Sequence, residues 1–383
     1  MTATARAARF LFAGGGTGGH LYPAVAIADQ LSRTLGAQRP VEILFVGTRR
    51  GLEYRKRDSL GYPLHLINVR GLARRLTLSN LLVPFVLLGA LISCCRLLRR
   101  FDPDVVVGTG GYVAFPVLKV AAWKKIITVL QEQNSFPGVT TRKLVRRAQR
   151  VYLGFERAAE YLTTEGEIMV TGNPVRPNIA SGDRNEAARA FGLDPNKKTI
   201  LVMGGSQGAR AVNQAVLRSL RQSELGADYQ LLWQTGERDY TDVSGEVGEK
   251  AGHALFPFAT DMAAVYAAAD LAVARAGAIS LAELEACRLP ALLIPYPHAA
   301  GDHQRKNADE CAKRGYATVV DEKDLSGIDI LRTAQKLLAS GQADDMRERL
   351  RHDLAGRRSA ADVIAEDIIG LLHEKERQEA AVD

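Results

Sequence analysis

Cysteine is scarce, with four in 383 residues. Cys94 and Cys95 are adjacent, and neither Cys287 nor Cys311 has a metal-type partner spacing. This argues against a disulfide framework or a zinc ribbon and points to a reducing compartment. Aromatic residues make up only 6%. No stacking platform is interleaved with the arginines, which argues against a nucleic-acid binder. No Gly-Lys-Ser/Thr follows any glycine-rich turn, which argues against a P-loop nucleotidase. The opening MTATARAARFLFAGGG has arginines but no apolar stretch of signal-peptide length, so no cleaved leader is expected. The balance of 46% hydrophobic and 24% charged residues excludes disordered and collagenous classes.

The length suits two domains of roughly 150–200 residues each. A net charge of +7 conceals an asymmetry: residues 1–178 carry 25 Lys+Arg against 11 Asp+Glu, whereas residues 179–383 carry 25 against 32. A basic half joined to an acidic half implies that one domain meets a polyanion, whether anionic membrane, nucleic acid or phosphorylated substrate.

Strand-length apolar runs alternate with helical patterns throughout. The first half predicts strands near Phe10–Ala13, Ile43–Val46, Leu64–Val69, Val105–Gly108, Ile127–Leu130, Val151–Leu153 and Ile168–Thr171. The second predicts them near Ile200–Met203, Gln230–Trp233, Leu271–Ala274, Ala291–Ile294 and Ala317–Val319. This alternation implies parallel sheets built from βαβ crossovers, hence an α/β protein of two doubly wound domains. The join is expected between Asn173-Pro174 and Ser181-Gly182, with a deep cleft facing the carboxyl ends of both sheets. The boundaries follow as 1–176, 177–360, and a C-terminal helix and tail over 361–383.

Three glycine-rich turns follow strands: 14–19 (GGGTGG), 108–111 (GTGG) and 204–208 (GGSQG). Glycine at such a turn lets backbone N–H groups meet an anion at a helix N-terminus. Tight turning alone would also account for one such loop; three in two halves favour phosphate binding. Glu42 stands at the start of the second strand, not its end, so a nicotinamide dinucleotide fits poorly. His20 opens the helix after the first loop, either as a neutral base or as a packing residue. Ser280 and Glu283 are placed in the first turn of a helix, as a capping box or as a carboxylate for ribose hydroxyls. Asp302, His303, Gln304 and Asn307 form a third polar group after LLIPYP.

Between Arg75 and Arg96 lie 20 uncharged residues, LTLSNLLVPFVLLGALISCC. Pro84 and Gly89 weaken a membrane span. The favoured reading is an exposed apolar loop, then a core helix from near Pro84. Leu76, Leu78, Leu81 and Leu82 would dip into the lipid interface beside Arg70, Arg74 and Arg75; a buried helix with a solvated basic flank is the plainer alternative.

The ordered set GGGTGGHLYPAVAIADQL, GTGGYVAFP, QEQNSFPG, TGNPVR, MGGSQGAR, ARAGAISLAEL and HQRKNA resembles the MurG family, the lipid I N-acetylglucosaminyltransferases of peptidoglycan synthesis. The resemblance runs from about residue 9 to residue 320. It implies a GT-B fold of two Rossmann-like domains, with the C-terminal helix packing back on the first. It also implies transfer of N-acetylglucosamine from UDP-GlcNAc to the 4-hydroxyl of the muramoyl sugar of lipid I, forming lipid II by a β-1,4 linkage with inversion, without an essential metal. By motif, Thr17, Gly18, Gly19 and Asn134 would contact the donor, and Arg176 and Ser206 its diphosphate. Ala278, Ile279, Ser280, Leu281, Ala282 and Glu283 would hold phosphate and ribose, Gln304 the sugar, and Ala259 the uracil through its backbone. Gly16, Gly110, Gly111 and Tyr112 would line the acceptor diphosphate site, and His20 would be the base. Implied partners are UDP-GlcNAc, lipid I, an anionic membrane surface and cell-wall synthesis proteins, without nucleic acid. The implied location is peripheral, on the cytoplasmic face of the inner membrane, in cell-wall biogenesis, cell shape and division. Two departures are Ala114-Phe115 in the second loop, where small residues are common, and His303-Gln304 in place of Gln-Gln. The nearest rival is a GT-B transferase acting on another lipid such as diacylglycerol, followed by a GT-B epimerase of UDP-GlcNAc.

Overall fold

The computed structural model describes residues 6–69, 83–205, 208–248 and 252–381. The chain divides into two compact units, 1–176 with 358–383, and 177–357.

In the first unit, strands β1 (Ala8–Gly14), β2 (Val41–Gly47), β3 (Leu64–Leu66), β4 (Val105–Gly110), β5 (Ile127–Glu132), β6 (Arg150–Leu153) and β7 (Glu167–Val170) form one parallel sheet. Its order is β3-β2-β1-β4-β5-β6-β7. Between them run α1 (Gly18–Gly36), α2 (Leu52–Arg55), α3 (Val83–Phe101), α4 (Gly111–Trp123) and α5 (Val139–Leu144). The central strands are apolar on both sides because helices cover both faces. Phe10, Phe12 and Phe45 pack under α1, while Leu11, Val106 and Leu130 pack under α3 and α4.

The second unit repeats this plan. Its strands are β8 (Lys198–Met203), β9 (Tyr229–Gln234), β10 (His253–Phe256), β11 (Leu271–Ala274), β12 (Ala291–Leu293) and β13 (Ala317–Val319). They pair in the order β10-β9-β8-β11-β12-β13. Its helices are α6 (Arg184–Ala190), α7 (Arg210–Gln222), α8 (Tyr240–Val247), α9 (Met262–Ala267), α10 (Ala278–Ala286), α11 (His303–Lys313), α12 (Ile330–Ala339) and α13 (Gln342–Leu354).

The chain then returns to the first unit as α14 (Ala360–Ala380), capped by Ser359, whose hydroxyl accepts from Asp362 N. Ile364, Ala365, Ile368 and Leu372 are buried against α1 and the sheet. Tyr152 OH on β6 donates to Asp367 at 2.7 Å, Arg150 pairs with Asp367 at 3.1 Å, and Lys375 reaches Asp104 at 3.3 Å. Residues more than two hundred positions apart are thereby tied.

Two strand expectations need correction. β10 was not anticipated: it is only four residues long, half-buried throughout and at a sheet edge. β3 is shorter than Leu64–Val69, as an edge strand pairing only with β2. Both sheets reverse their strand order at a switch point, between β1 and β4 and between β8 and β11, and such folds bind ligands beyond the carboxyl ends there. The glycine loops after β1, β4 and β8, and the turn after β11, all open at these points.

Candidate active site

In the first unit, the β1–α1 and β4–α4 loops interlock around His20. Thr109 Oγ1 donates to His20 O at 2.7 Å. A Cβ on Gly14 would lie 1.7 Å from that hydroxyl, and one on Gly110 would lie 2.8 Å from His20 Nδ1. Only glycine lets these loops close so tightly. The imidazole sits in the first turn of α1, with Nδ1 3.0 Å from Thr109 O and 2.9 Å from Gln133 Oε1. Nε2 has no partner among the described residues.

Glu53 lies beneath the first loop, fully buried. Its Oε2 accepts from Gly16 N at 2.7 Å, and its Oε1 from Thr48 N at 2.9 Å. The Gly16 amide is therefore already engaged by an internal anion. Tyr112 OH lies 3.0 Å from Thr48 Oγ1, which joins the second loop to the same support. Thr17 is the N-cap of α1 with extended backbone, and Gly18 and Gly19 open that helix with amides that have no carbonyl partner within it. Gly111 follows Gly110 at positive φ and starts α4. Asn134 is held by Glu132 Oε1, through its backbone and side-chain nitrogens at 3.1 and 3.2 Å. Arg176 stacks on the Tyr22 ring at 5.2 Å.

In the second unit, Ser206 lies outside the described residues. Gly277 caps α10, so Ala278, Ile279 and Ser280 form its first turn, followed by Leu281 and Ala282. Glu283 falls in the second turn, not the first, which removes the capping-box reading. Its carboxylate is buried and accepts from Tyr266 OH at 2.9 Å. Ala259 N donates to Gln234 Oε1 at 3.0 Å. Gln304 Oε1 accepts from Tyr296 N at 3.0 Å, which leaves its Nε2 without a partner among the described residues. His303 Nδ1 donates to Ala300 O at 2.8 Å, bracing the turn before α11, and Asn307 Nδ2 donates to Ala276 O. Arg275 is a buried strut: it pairs with Glu322, donates to Ile294 O and Pro295 O, and lies over Tyr296.

Of the expected membrane patch, Arg70, Arg74, Arg75, Leu76, Leu78, Leu81 and Leu82 lie outside the described residues. The neighbouring α3 presents Phe85, Leu88 and Ile92, 73%, 57% and 46% exposed, on one stripe. Arg96 and Arg99 continue it. Trp123 is also exposed, with Lys119 over its ring at 5.5 Å. Among the described residues no helix is long and apolar enough to cross a membrane.

Sequence reading missed Glu53, Gln131, Gln133, Asn173, Gln234 and Tyr266. The available signal was polar residues at the carboxyl ends of β5 (VLQEQN) and β7 (TGNP), where a buried strand turns polar at a site.

Residues 10–153 match the glycosyltransferase family 28 N-terminal domain, and residues 199–364 its C-terminal domain. A protein of Chlorobium luteolum is 44% identical over 371 residues, covering 95% of this chain and 99% of its own. One of Salinibacter ruber is 40% identical over 373 residues, covering 96% and 97%. Both are named UDP-N-acetylglucosamine–N-acetylmuramyl-(pentapeptide) pyrophosphoryl-undecaprenol N-acetylglucosamine transferase. Among solved structures, Acinetobacter baumannii MurG superposes with TM-score 0.73 at 26% identity, covering 95% of this chain and 99% of that one. A UDP-GlcNAc 2-epimerase of Neisseria meningitidis reaches TM-score 0.63 at 12% identity over 96% and 99%, a likeness of fold alone. With the GT-B architecture and the paired glycine loops, these matches identify the chain as a glycosyltransferase of family 28, belonging to the MurG group.

Proposed function

We propose that this chain moves N-acetylglucosamine from UDP-GlcNAc to the 4-hydroxyl of the muramoyl sugar of lipid I, giving lipid II with inversion. The observation that carries this reading is His20, held between two glycine loops with Nδ1 bonded internally and Nε2 without a partner among the described residues. In an inverting displacement the acceptor hydroxyl attacks C1 while its proton passes to a base, and the C1–oxygen electron pair leaves with the UDP phosphate. His20 Nε2 takes that proton.

Charge develops on the departing diphosphate and is met by helix N-termini and Arg176, with Ser206 as a further donor. The reading needs no metal. Thr17, Gly18, Gly19 and Asn134 face the donor sugar side, Ala278 to Ala282 the phosphate, and Glu283 the ribose hydroxyls. Gln304 Nε2, without a partner among the described residues, donates to a sugar hydroxyl. Ala259 can meet uracil through its N–H only if Gln234 releases it. At the acceptor loops, Gly110, Gly111 and Tyr112 remain candidates, whereas Gly16 already donates to Glu53.

Membrane docking is peripheral, on the cytoplasmic face. The α3 stripe ending in arginines has the composition of an interfacial surface: apolar side chains enter the lipid boundary while cations meet anionic headgroups.

The test is transfer of labelled N-acetylglucosamine to lipid I or diacylglycerol by wild type and His20→Ala, with and without EDTA. Lipid II formation without metal, and a loss of ~10²–10⁴-fold in kcat with UDP binding retained, is the expected result. Transfer to diacylglycerol alone overturns the acceptor, and dependence on added metal overturns the charge scheme.

A further inference from the structure

A chain of side-chain amides runs from a backbone carbonyl to His20, and each link orients the next. Asn173 Nδ2 donates to Gln133 O at 2.9 Å, which turns Asn173 Oδ1 toward Gln131. Gln131 Nε2 donates to that oxygen at 2.9 Å, which leaves Gln131 Oε1 to accept from Gln133 Nε2. The same Nε2 also faces Thr109 O at 2.8 Å and Gln131 O at 3.1 Å. Turned the other way, Gln133 would set its own oxygen against three others, so Oε1 must face His20. Nδ1 then has two acceptors, Gln133 Oε1 and Thr109 O, and neither can donate.

We propose that Asn173, Gln131 and Gln133 form a polarity relay, with Gln133 as the positioning residue that fixes His20 as its Nδ1–H tautomer. The lone pair is thereby left on Nε2. A carboxylate in this place would fix the same tautomer but favour the imidazolium. A neutral amide sets the tautomer without adding a charge beside the ring.

The ionisable groups on the surrounding elements are engaged elsewhere. Glu53 holds Gly16 and Thr48, and Glu132 holds Asn134, Gly138 and Thr141. Tyr112 meets Thr48, and Arg176 lies on Tyr22. Gly154 leaves space for the relay, since a Cβ there would lie 2.3 Å from Asn173 Oδ1. The inference rests on His20 being the base.

The experiment uses the full chain with 15N-labelled histidine. NMR reads the His20 tautomer, and lipid II formation gives kcat, KM and their pH profiles. The expected wild-type state is Nδ1–H. Gln133→Met removes one of the two Nδ1 acceptors and leaves Thr109 O, so it should raise the Nε2–H fraction and lower kcat severalfold at unchanged KM for UDP-GlcNAc. Gln133→Glu should restore the tautomer and raise the acid limb of the profile by about one pH unit or more. Gly154→Ala, which keeps every relay side chain but sets a methyl group against Asn173, should act in the same direction as Gln133→Met. A wild-type ring in the Nε2–H form overturns the relay, as does a folded Gln133→Met with unchanged tautomer and profile. If the tautomer behaves as stated but His20→Ala keeps its kcat, the relay stands and the base assignment fails. If His20→Ala loses transfer while Gln133 leaves the tautomer unmoved, the relay fails and the base assignment stands.

Discussion

Replacing Glu53 with glutamine changes one oxygen to an amino group, and the geometry shows why that is severe. Both carboxylate oxygens accept backbone N–H groups, Gly16 at 2.7 Å and Thr48 at 2.9 Å, within a fully buried site. Glutamine has one acceptor oxygen, so in either orientation an NH2 faces a backbone N–H. A stranded buried donor costs ~1–3 kcal/mol, and loss of a charge-assisted bond adds a comparable amount. Glu53→Gln should therefore lose about 2–4 kcal/mol from the first unit. Because the same loop carries Thr17 to His20, a shift of about 1 Å there would lower kcat by up to ~100-fold. Urea unfolding followed by near-UV CD, together with lipid II synthesis, reads both effects. An unchanged urea midpoint and unchanged kcat would mean that the two backbone N–H bonds to Glu53 do not hold the loop, and the account would fail.

Tyr266→Phe removes the hydroxyl that holds Glu283. It should raise KM for UDP-GlcNAc several-fold at near-constant kcat, from the loss of about 1 kcal/mol of hydrogen bonding; an unchanged KM in steady-state kinetics refutes the ribose role. Phe85→Glu with Leu88→Glu should abolish sedimentation with phosphatidylglycerol vesicles while sparing transfer to a water-soluble lipid I analogue, and retained sedimentation would place docking elsewhere. Burial pushes the phenols of Tyr62 and Tyr152 upward, Tyr62 to about 12, with donation to Asp29 and the Asp367 charge adding to the rise. Each raised group stabilises the fold fully below its unfolded value of about 10, and that stability is lost as pH climbs above it. Tm should fall between pH 10 and 12, less steeply in Tyr152→Phe, if alkaline unfolding is driven by these phenols.

Glycine loops and apolar strand runs were legible because they are local. A buried parallel strand must be apolar on both sides, and a tight strand-to-helix turn beside another loop must be glycine, as at Gly14 and Gly110. His20 was legible for the same reason, since one loop places it at the start of one helix. β10 was not, because an edge strand buries little and so leaves little pattern.

Glu53 and the relay depend on tertiary structure. Glu53 carries no signal in the sequence; it stands on the four-residue α2, which follows β2 and sets it under the first loop. His20 follows β1, Thr109 lies near the end of β4, Gln131 near the end of β5 and Gln133 just after it, and Asn173 follows β7. These segments converge because the sheet orders its strands β1-β4-β5-β6-β7. The sequence by itself determined the strands, the turns and the family they belong to. Only the packing of that sheet decided which polar ends would meet, because strand order is set by burial of both faces at once and by no single stretch of chain.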